Sequence, residues 1–180
     1  MLCMPTANLD FNKITVRQLN FSDDLSLFKC DQDDGLGCDD FIHNEDEAKL
    51  FQKERHGITY LFVYEGNVIG YVTLAMSSIP AKRMGKRLKD SVSLKFYPSL
   101  LIGRLAVGNN WRRKGVGKYL CDWCLGIAMA LSEKVGCRYV IVETDQNNVN
   151  FYENCDFKLG KELEEDKGKA MWMYQRITLE

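Results

Sequence analysis

Leu101-Ile102-Gly103-Arg104-Leu105-Ala106-Val107-Gly108-Asn109-Asn110-Trp111-Arg112-Arg113-Lys114-Gly115-Val116-Gly117-Lys118-Tyr119-Leu120 is the segment on which the reading of this chain turns. Leu100 to Val107 follows Pro98 as an apolar strand, and Gly103 inside it marks either a bulge or a close backbone approach. Trp111 to Gly117 is a basic turn holding two glycines. From Val116 to about Val135, apolar residues at 116, 120, 123, 124, 127, 129 to 131 and 135 recur at helical spacing, and Gly136 supplies the stop. A helix starting near Gly115 leaves backbone N–H groups unpaired and carries partial positive charge at that end. Glycines at 115 and 117 let a phosphate approach this backbone without meeting a Cβ, and Arg112, Arg113, Lys114 and Lys118 add positive charge. The segment reads as a pyrophosphate cradle, with a basic helix start facing water as the plainer alternative.

Upstream, Ile14 to Arg17 alternates as a first strand, and Asp23 to Phe28 and Asp40 to Arg55 read as helices. Ile58 to Tyr64 and Val68 to Ala75 are β-branched and aromatic, and the Glu65-Gly66-Asn67 turn makes them a hairpin. The basic stretch after Pro80 reads as an exposed loop. Downstream come a strand at Arg138 to Glu143, a short helix at Asn147 to Cys155, and strands at Phe157 to Leu163 and Ala170 to Ile177 around the turn Asp166-Lys167-Gly168. This order, β-α-α-β-β-β-α-β-α-β-β, describes a mixed α/β (α+β) domain rather than a regular doubly wound one. Gly115-x-Gly117 lacks the third glycine of a dinucleotide fingerprint, and no glycine-lysine-serine or glycine-lysine-threonine triplet of a nucleotide triphosphatase loop occurs.

With 180 residues, 46% hydrophobic and 27% charged, the chain fits one domain over 1–180, with 1–13 as a flexible N-terminal extension. Lys plus Arg number 24 against 25 Asp plus Glu, so no global field draws the chain to nucleic acid or membrane, and a polyanion site must be local. Acids dominate Asp23 to Glu54, whereas Ala81 to Lys95 carries Lys82, Arg83, Lys86, Arg87, Lys89 and Lys95 against Asp90 alone. No apolar run is long enough to span a bilayer and no secretory signal is read, so the expected location is cytoplasmic. Seven scattered cysteines read as reduced thiols. Cys121-x-x-Cys124 sits within the amphipathic helix without a second pair, so core thiols and no metal site are expected. Trp111 reads either as a platform beside an adenine or as a cap on the sheet.

Arg112-x-x-Gly115-x-Gly117, preceded by Arg104-Leu105-Ala106-Val107 and followed by a long helix, resembles the acyl-CoA-binding motif of the GNAT superfamily of N-acetyltransferases. Asn148-x-x-Phe151-Tyr152-Glu153-Asn154-Cys155-Asp156-Phe157 resembles the next motif of that superfamily, with Asp156 standing where glycine is usual. The resemblance implies a mixed, mostly antiparallel sheet of six to seven strands flanked by helices, with a splayed pair of strands at the cofactor site. On the strand Leu105, Ala106 and Val107, the backbone of Leu105 and Val107 would pair with the pantetheine amide and acetyl carbonyl of acetyl-CoA (acetyl-coenzyme A). Arg112, Arg113, Lys114, Gly115, Val116, Gly117 and Lys118 would hold the pyrophosphate, and Asn148, Phe151 and Tyr152 would flank the thiol end. A substrate amine would then attack the thioester directly, with Tyr152 as the acid that protonates the leaving thiolate. Leu100 to Val107 contains no acid to serve as base, which leaves Glu143 or water.

Leu27-Phe28-x-Cys30, Tyr71-x-Thr73-Leu74-Ala75, the basic segment Lys82 to Lys89 and Leu101 to Val107 are similar to the GNAT branch containing toxins that acetylate aminoacyl-tRNA. That similarity implies aminoacyl-tRNA as the acceptor, with Lys82, Arg83, Lys86 and Arg87 holding it, and a homodimer and an antitoxin as partners. Small amines or protein amino groups remain alternative acceptors. A non-catalytic acyl-CoA sensor is the alternative from another class.

Overall fold

The computed structural model describes residues 9–31, 36–44, 47–84, 92–163 and 170–178. Its elements run β1 (Thr15–Gln18), α1 (Cys38–His43), α2 (Glu47–Lys53), β2 (Ile58–Tyr64), β3 (Asn67–Pro80), β4 (Phe96–Val107), α3 (Val116–Ser132), β5 (Tyr139–Thr144), α4 (Val149–Glu153), β6 (Lys158–Leu159) and β7 (Met171–Arg176). Seven strands form one sheet in the order β1-β2-β3-β4-β5-β7-β6. Only β4 and β5 run parallel, because α3 carries the chain back across the sheet between them. The expected mixed, mostly antiparallel architecture is thus the observed one.

Two expected helices differ. Asp23 to Phe28 forms no helix: Asp23 accepts the Asn20 N–H at 2.7 Å and both Arg17 guanidinium nitrogens at 2.8 Å, and Asp24 accepts the Ser26 N–H. These aspartate bonds hold the segment in turns, in which the Asp23 N–H bonds the Asn20 carbonyl at 3.1 Å and the Phe28 N–H the Leu25 carbonyl at 2.9 Å. The single helix expected over Asp40 to Arg55 is two, α1 and α2, divided at Asn44, whose backbone is extended at φ −83°, ψ 122°. The matching element order therefore arises from one missing helix and one divided helix.

β3 and β4 extend past the expected limits to Pro80 and Phe96, since their ladder continues through Ser78 opposite Pro98. β6 is shorter than expected. Gly160 brings its backbone so close to β7 that a Cβ there would meet the Trp172 carbonyl oxygen at 2.9 Å, and the next residue, Lys161, donates to the Arg83 carbonyl instead. The expected turn at Asp166-Lys167-Gly168 lies outside the described residues.

The sheet is covered on both faces. Val116, Leu120, Cys121, Cys124 and Ala128 form the buried stripe of α3 and pack on Phe62, Ile69, Val72, Ile102, Val140 and Val142. The opposite face, with Leu61, Tyr71 and Ala106, is covered by Leu19, Leu25, Phe28 and Cys30 and by Phe41 and Ile42 of α1. Phe11 of the N-terminal segment packs on Tyr119, ring centroids 5.2 Å apart. The six described cysteines are buried and in no disulfide, and among the described residues no helix is long and apolar enough to cross a membrane.

Candidate functional site

The β3–β4 register shifts between Thr73 and Leu74: Thr73 opposes Arg104 while Leu74 opposes Ile102, leaving Gly103 as the extra residue of a bulge. A Cβ at Gly103 would meet only the Thr73 carbonyl oxygen at 3.6 Å, so the expected bulge is present without a close approach. One extra residue exchanges the faces. Leu100 and Ile102 point to the α3 side before it, whereas Leu105 and Val107 pack on that side after it and Ala106 turns to the α1 side. Pairing of β4 with β5 stops at Ile102 opposite Val142. Beyond that point the two strands splay, and Gly103 to Val107 face a cleft.

The other wall of the cleft is α4. At the end of β5, Asp145 accepts the Asn148 N–H at 3.1 Å and turns the chain into that helix. Its far end is a Schellman turn: Phe157 N–H bonds the Tyr152 carbonyl and Asp156 N–H bonds the Glu153 carbonyl, both at 3.0 Å. Asp156, where the family motif has glycine, takes φ +65°. The Tyr152 and Phe157 rings close the turn at 5.5 Å. Asp156→Gly is expected to stabilise the fold by about 0.5–1 kcal/mol, raising Tm by about 1–4 °C in a thermal melt.

Between these walls lies a cavity of about 930 Å³. It brings together Leu105, Ala106, Val107, Arg112, Arg113, Gly117, Asn148, Phe151 and Tyr152, all expected from the sequence. Gly115 is the N-cap of α3 at φ +83° with no side-chain cap, so the first N–H groups of α3 are left to a ligand or to water. At Gly117 a Cβ would meet Phe151 Cε2 at 2.8 Å, so glycine is required by the opposite wall as well as by the open mouth. Val116 is in the core, which leaves only its backbone for the site. Lys114 Nζ lies 5.2 Å from the Trp111 ring centre, and Lys118 Nζ is 3.2 Å from Asp122; neither lines the cavity. Trp111 is the cap, packed against Tyr64 at 5.6 Å.

Arg112 joins two parts of the cavity wall. Its Nη2 donates to the Cys30 carbonyl at 3.1 Å and its Nε to the Val107 carbonyl at 3.4 Å, which ties the segment around Cys30 to the end of β4. Asn109 Nδ2 reinforces that tie by donating to Asp31 at 2.6 Å, a bond that holds the Asp31 carboxyl below the usual carboxylate range. Cys30, Asp31, Leu36 and Cys38 thereby complete the cavity wall. Sequence reasoning missed these four, and Leu27-Phe28-x-Cys30 was the only signal near them.

A second cavity, about 230 Å³, lies on the other side of the splay and shares Leu36, Cys38, Leu105 and Tyr152 with the first. Glu143 lines it as an exposed carboxylate on β5, and Arg104, not expected from the sequence, lines it from β4. Tyr152 is almost wholly buried, and burial pushes its hydroxyl well above the ordinary tyrosine value. It therefore keeps its proton at neutral pH. Of the basic residues expected to meet substrate, Lys82 is exposed on a short 3₁₀ turn, Ala81–Arg83, whereas Arg83 is buried with its guanidinium 5.2 Å from the Trp172 ring centre. Lys86 and Arg87 lie outside the described residues.

The residues present fit a coenzyme A thioester: a helix mouth free of side-chain caps, a glycine where a side chain would intrude, and a stretch of β4 without a β5 partner beside a buried hydroxyl. The family model "Acetyltransferase (GNAT) family" matches residues 26–157, more than half of the chain. A tRNA-acetylating toxin of Mycobacterium tuberculosis is 25% identical over 150 residues, covering 79% of this chain and 83% of the toxin. Among solved structures, a tyrosine-to-phenylalanine mutant of KacT superposes with TM-score 0.77 at 19% identity, covering 92% of this chain and 95% of KacT. AtaT complexed with acetyl-methionyl-tRNAfMet superposes with TM-score 0.75 at 19% identity, covering 91% and 94%.

Proposed function

Since this chain belongs to the acetyltransferase (GNAT) family, we propose that it acetylates the α-amino group of aminoacyl-tRNA, with acetyl-CoA as the donor. The observation that carries this reading is that two cavities, of about 930 and 230 Å³, share Leu105 and Tyr152 as lining, so that a thioester held in the larger would meet an acceptor held in the smaller. The likeness to a tRNA-acetylating toxin supports the acceptor. Acetyl-CoA supplies an activated acetyl group as a thioester.

The chain's own residues supply position and protons. Backbone N–H groups at the start of α3 hold the diphosphate, with Arg113 adding charge at the cavity wall. Because Arg112 is engaged with Cys30 and Val107, its role in this reading is to hold the wall. The backbone of Leu105 and Val107, without a β5 partner, orients the thioester arm. Transfer forms a C–N bond and breaks a C–S bond. The amine gives up a proton to Glu143 or water, and Tyr152 delivers one to the sulfur. An aminoacyl ester suits this site because its amine is less basic than an alkylamine and needs little help to become neutral.

Labelled acetyl-CoA offered with pooled aminoacyl-tRNAs, polyamines and peptides should place its label on charged tRNA. Reversing Lys82, Lys86 and Arg87 to glutamate should weaken use of charged tRNA by about tenfold or more and flatten its salt dependence. Label on polyamines or peptides with none on charged tRNA would end this reading.

A further inference from the structure

Arg104 follows the bulge at Gly103, and the shifted register turns it toward α1, where its guanidinium lies 5.1 Å from the Phe41 ring centre. Nη1 donates to the Gly103 carbonyl at 2.8 Å. The ring contact and this bond together hold the group in place. Its other edge is unused: Nε–H is closed to water without a hydrogen-bond partner, and Nη2 makes no hydrogen bond among the described residues. Buried donors are almost always satisfied in folded proteins, so an unsatisfied one calls for an explanation. Arg104 lines the smaller cavity together with Glu143 and Tyr152.

We propose that Arg104 is the residue that selects the acceptor, its Nε and Nη2 closing together on the carbonyl oxygen of an α-aminoacyl group while the neighbouring amine faces the thioester. This assignment rests on the function proposed above and names the residue that sets its substrate class. The Nε–Nη2 edge is a fork of two nearly parallel N–H bonds, and both can close on one carbonyl oxygen, which offers two lone pairs. An α-aminoacyl ester presents such an oxygen on the carbon next to the one that bears its amine. A polyamine presents no carbonyl oxygen, and a lysine side chain holds its amine far from any carbonyl. Glu143, on the opposite strand of the cavity, faces the amine end of the same small group. A site built to satisfy a buried donor discriminates strongly against an acceptor that leaves it unpaired.

The test compares wild type with Arg104→Lys, which keeps the charge and removes the fork. The expected result is a fall in kcat/KM for aminoacyl-tRNA on the order of 10²-fold. Affinities for acetyl-CoA and for uncharged tRNA, read by calorimetry, should stay within about threefold, since neither involves the aminoacyl oxygens. Activity within threefold of wild type overturns the assignment, as does a parallel loss of both affinities, which marks a structural role. Should Arg104→Lys fail to fold, Phe41→Leu keeps the guanidinium and loosens its hold, and it should raise KM for charged tRNA by about three- to tenfold with acetyl-CoA affinity unchanged. An unchanged KM in that variant overturns the proposal. If the wild-type chain acetylates methionine methyl ester but no charged tRNA, the tRNA reading fails by itself, and Arg104 is judged by the same comparison on the ester. If it acetylates neither, both fall.

Discussion

Tyr152→Phe should lower kcat by about 10²- to 10⁴-fold, the range over which a positioned general acid acts, while acetyl-CoA affinity stays within about threefold. The phenyl ring preserves the contacts with Phe151 at 4.9 Å and Phe157 at 5.5 Å, so the wall of the cleft is kept and only the proton donor is lost. Steady-state kinetics with calorimetry on the same preparation separates the two effects. A kcat within about threefold of wild type would remove Tyr152 from the chemistry. The pH dependence carries a sign. Burial raises the Tyr152 hydroxyl above its unfolded value, so its contribution to stability is complete below pH about 10 and is lost as pH climbs through the folded value. Loss of this proton therefore produces no decline in kcat below pH about 10.

Gly117→Val should reduce affinity for acetyl-CoA by about 10²-fold or more, equivalent to about 2.8 kcal/mol. The new Cβ would fall 2.8 Å from Phe151 Cε2 and 3.0 Å from its Cζ, with Val107 Cγ2 at 3.7 Å behind it. Relief requires either that Phe151 swing into the cavity or that the first turn of α3 lift from β4. Both close the space needed by the diphosphate arm. Calorimetry should show the loss directly, and kinetics should show it as a raised KM with a smaller change in kcat at saturation. Unchanged binding would mean that the mouth of α3 is not where the cofactor is held.

Elements governed by local rules were legible in the chain itself. The stripe of α3 follows from residues three and four apart, and the left-handed Asp156 follows from the tolerance of aspartate for positive φ at a helix end. β2 was read to its observed limits because β-branched and aromatic residues fill it between turn residues. The fate of Asp23 to Phe28 was not legible. Helical composition there loses to local bonds from the Asn20 and Ser26 N–H groups and to Arg17, which reaches Asp23 from β1.

Much of the candidate site was visible as motif: Arg112, Arg113, Gly117, Asn148, Phe151 and Tyr152 line one cavity, whereas Lys114, Gly115, Val116 and Lys118 of the same cradle do not. Its remaining wall was decided at a distance. Cys30 reaches the end of β4 through Arg112, 82 residues along the chain, and no periodicity encodes such a contact. Arg83 belongs to a basic run that by composition faces water, yet the ring of Trp172 from β7 covers it. The chain alone determined the family's cradle and the alternation of strands and helices, because glycine freedom, helix-end charge and side-chain periodicity act over a few residues. Only the tertiary structure decided which way Arg104 faces: a strand turns its side chains over with each one-residue shift, and the shift at Gly103 is set by the partner strand.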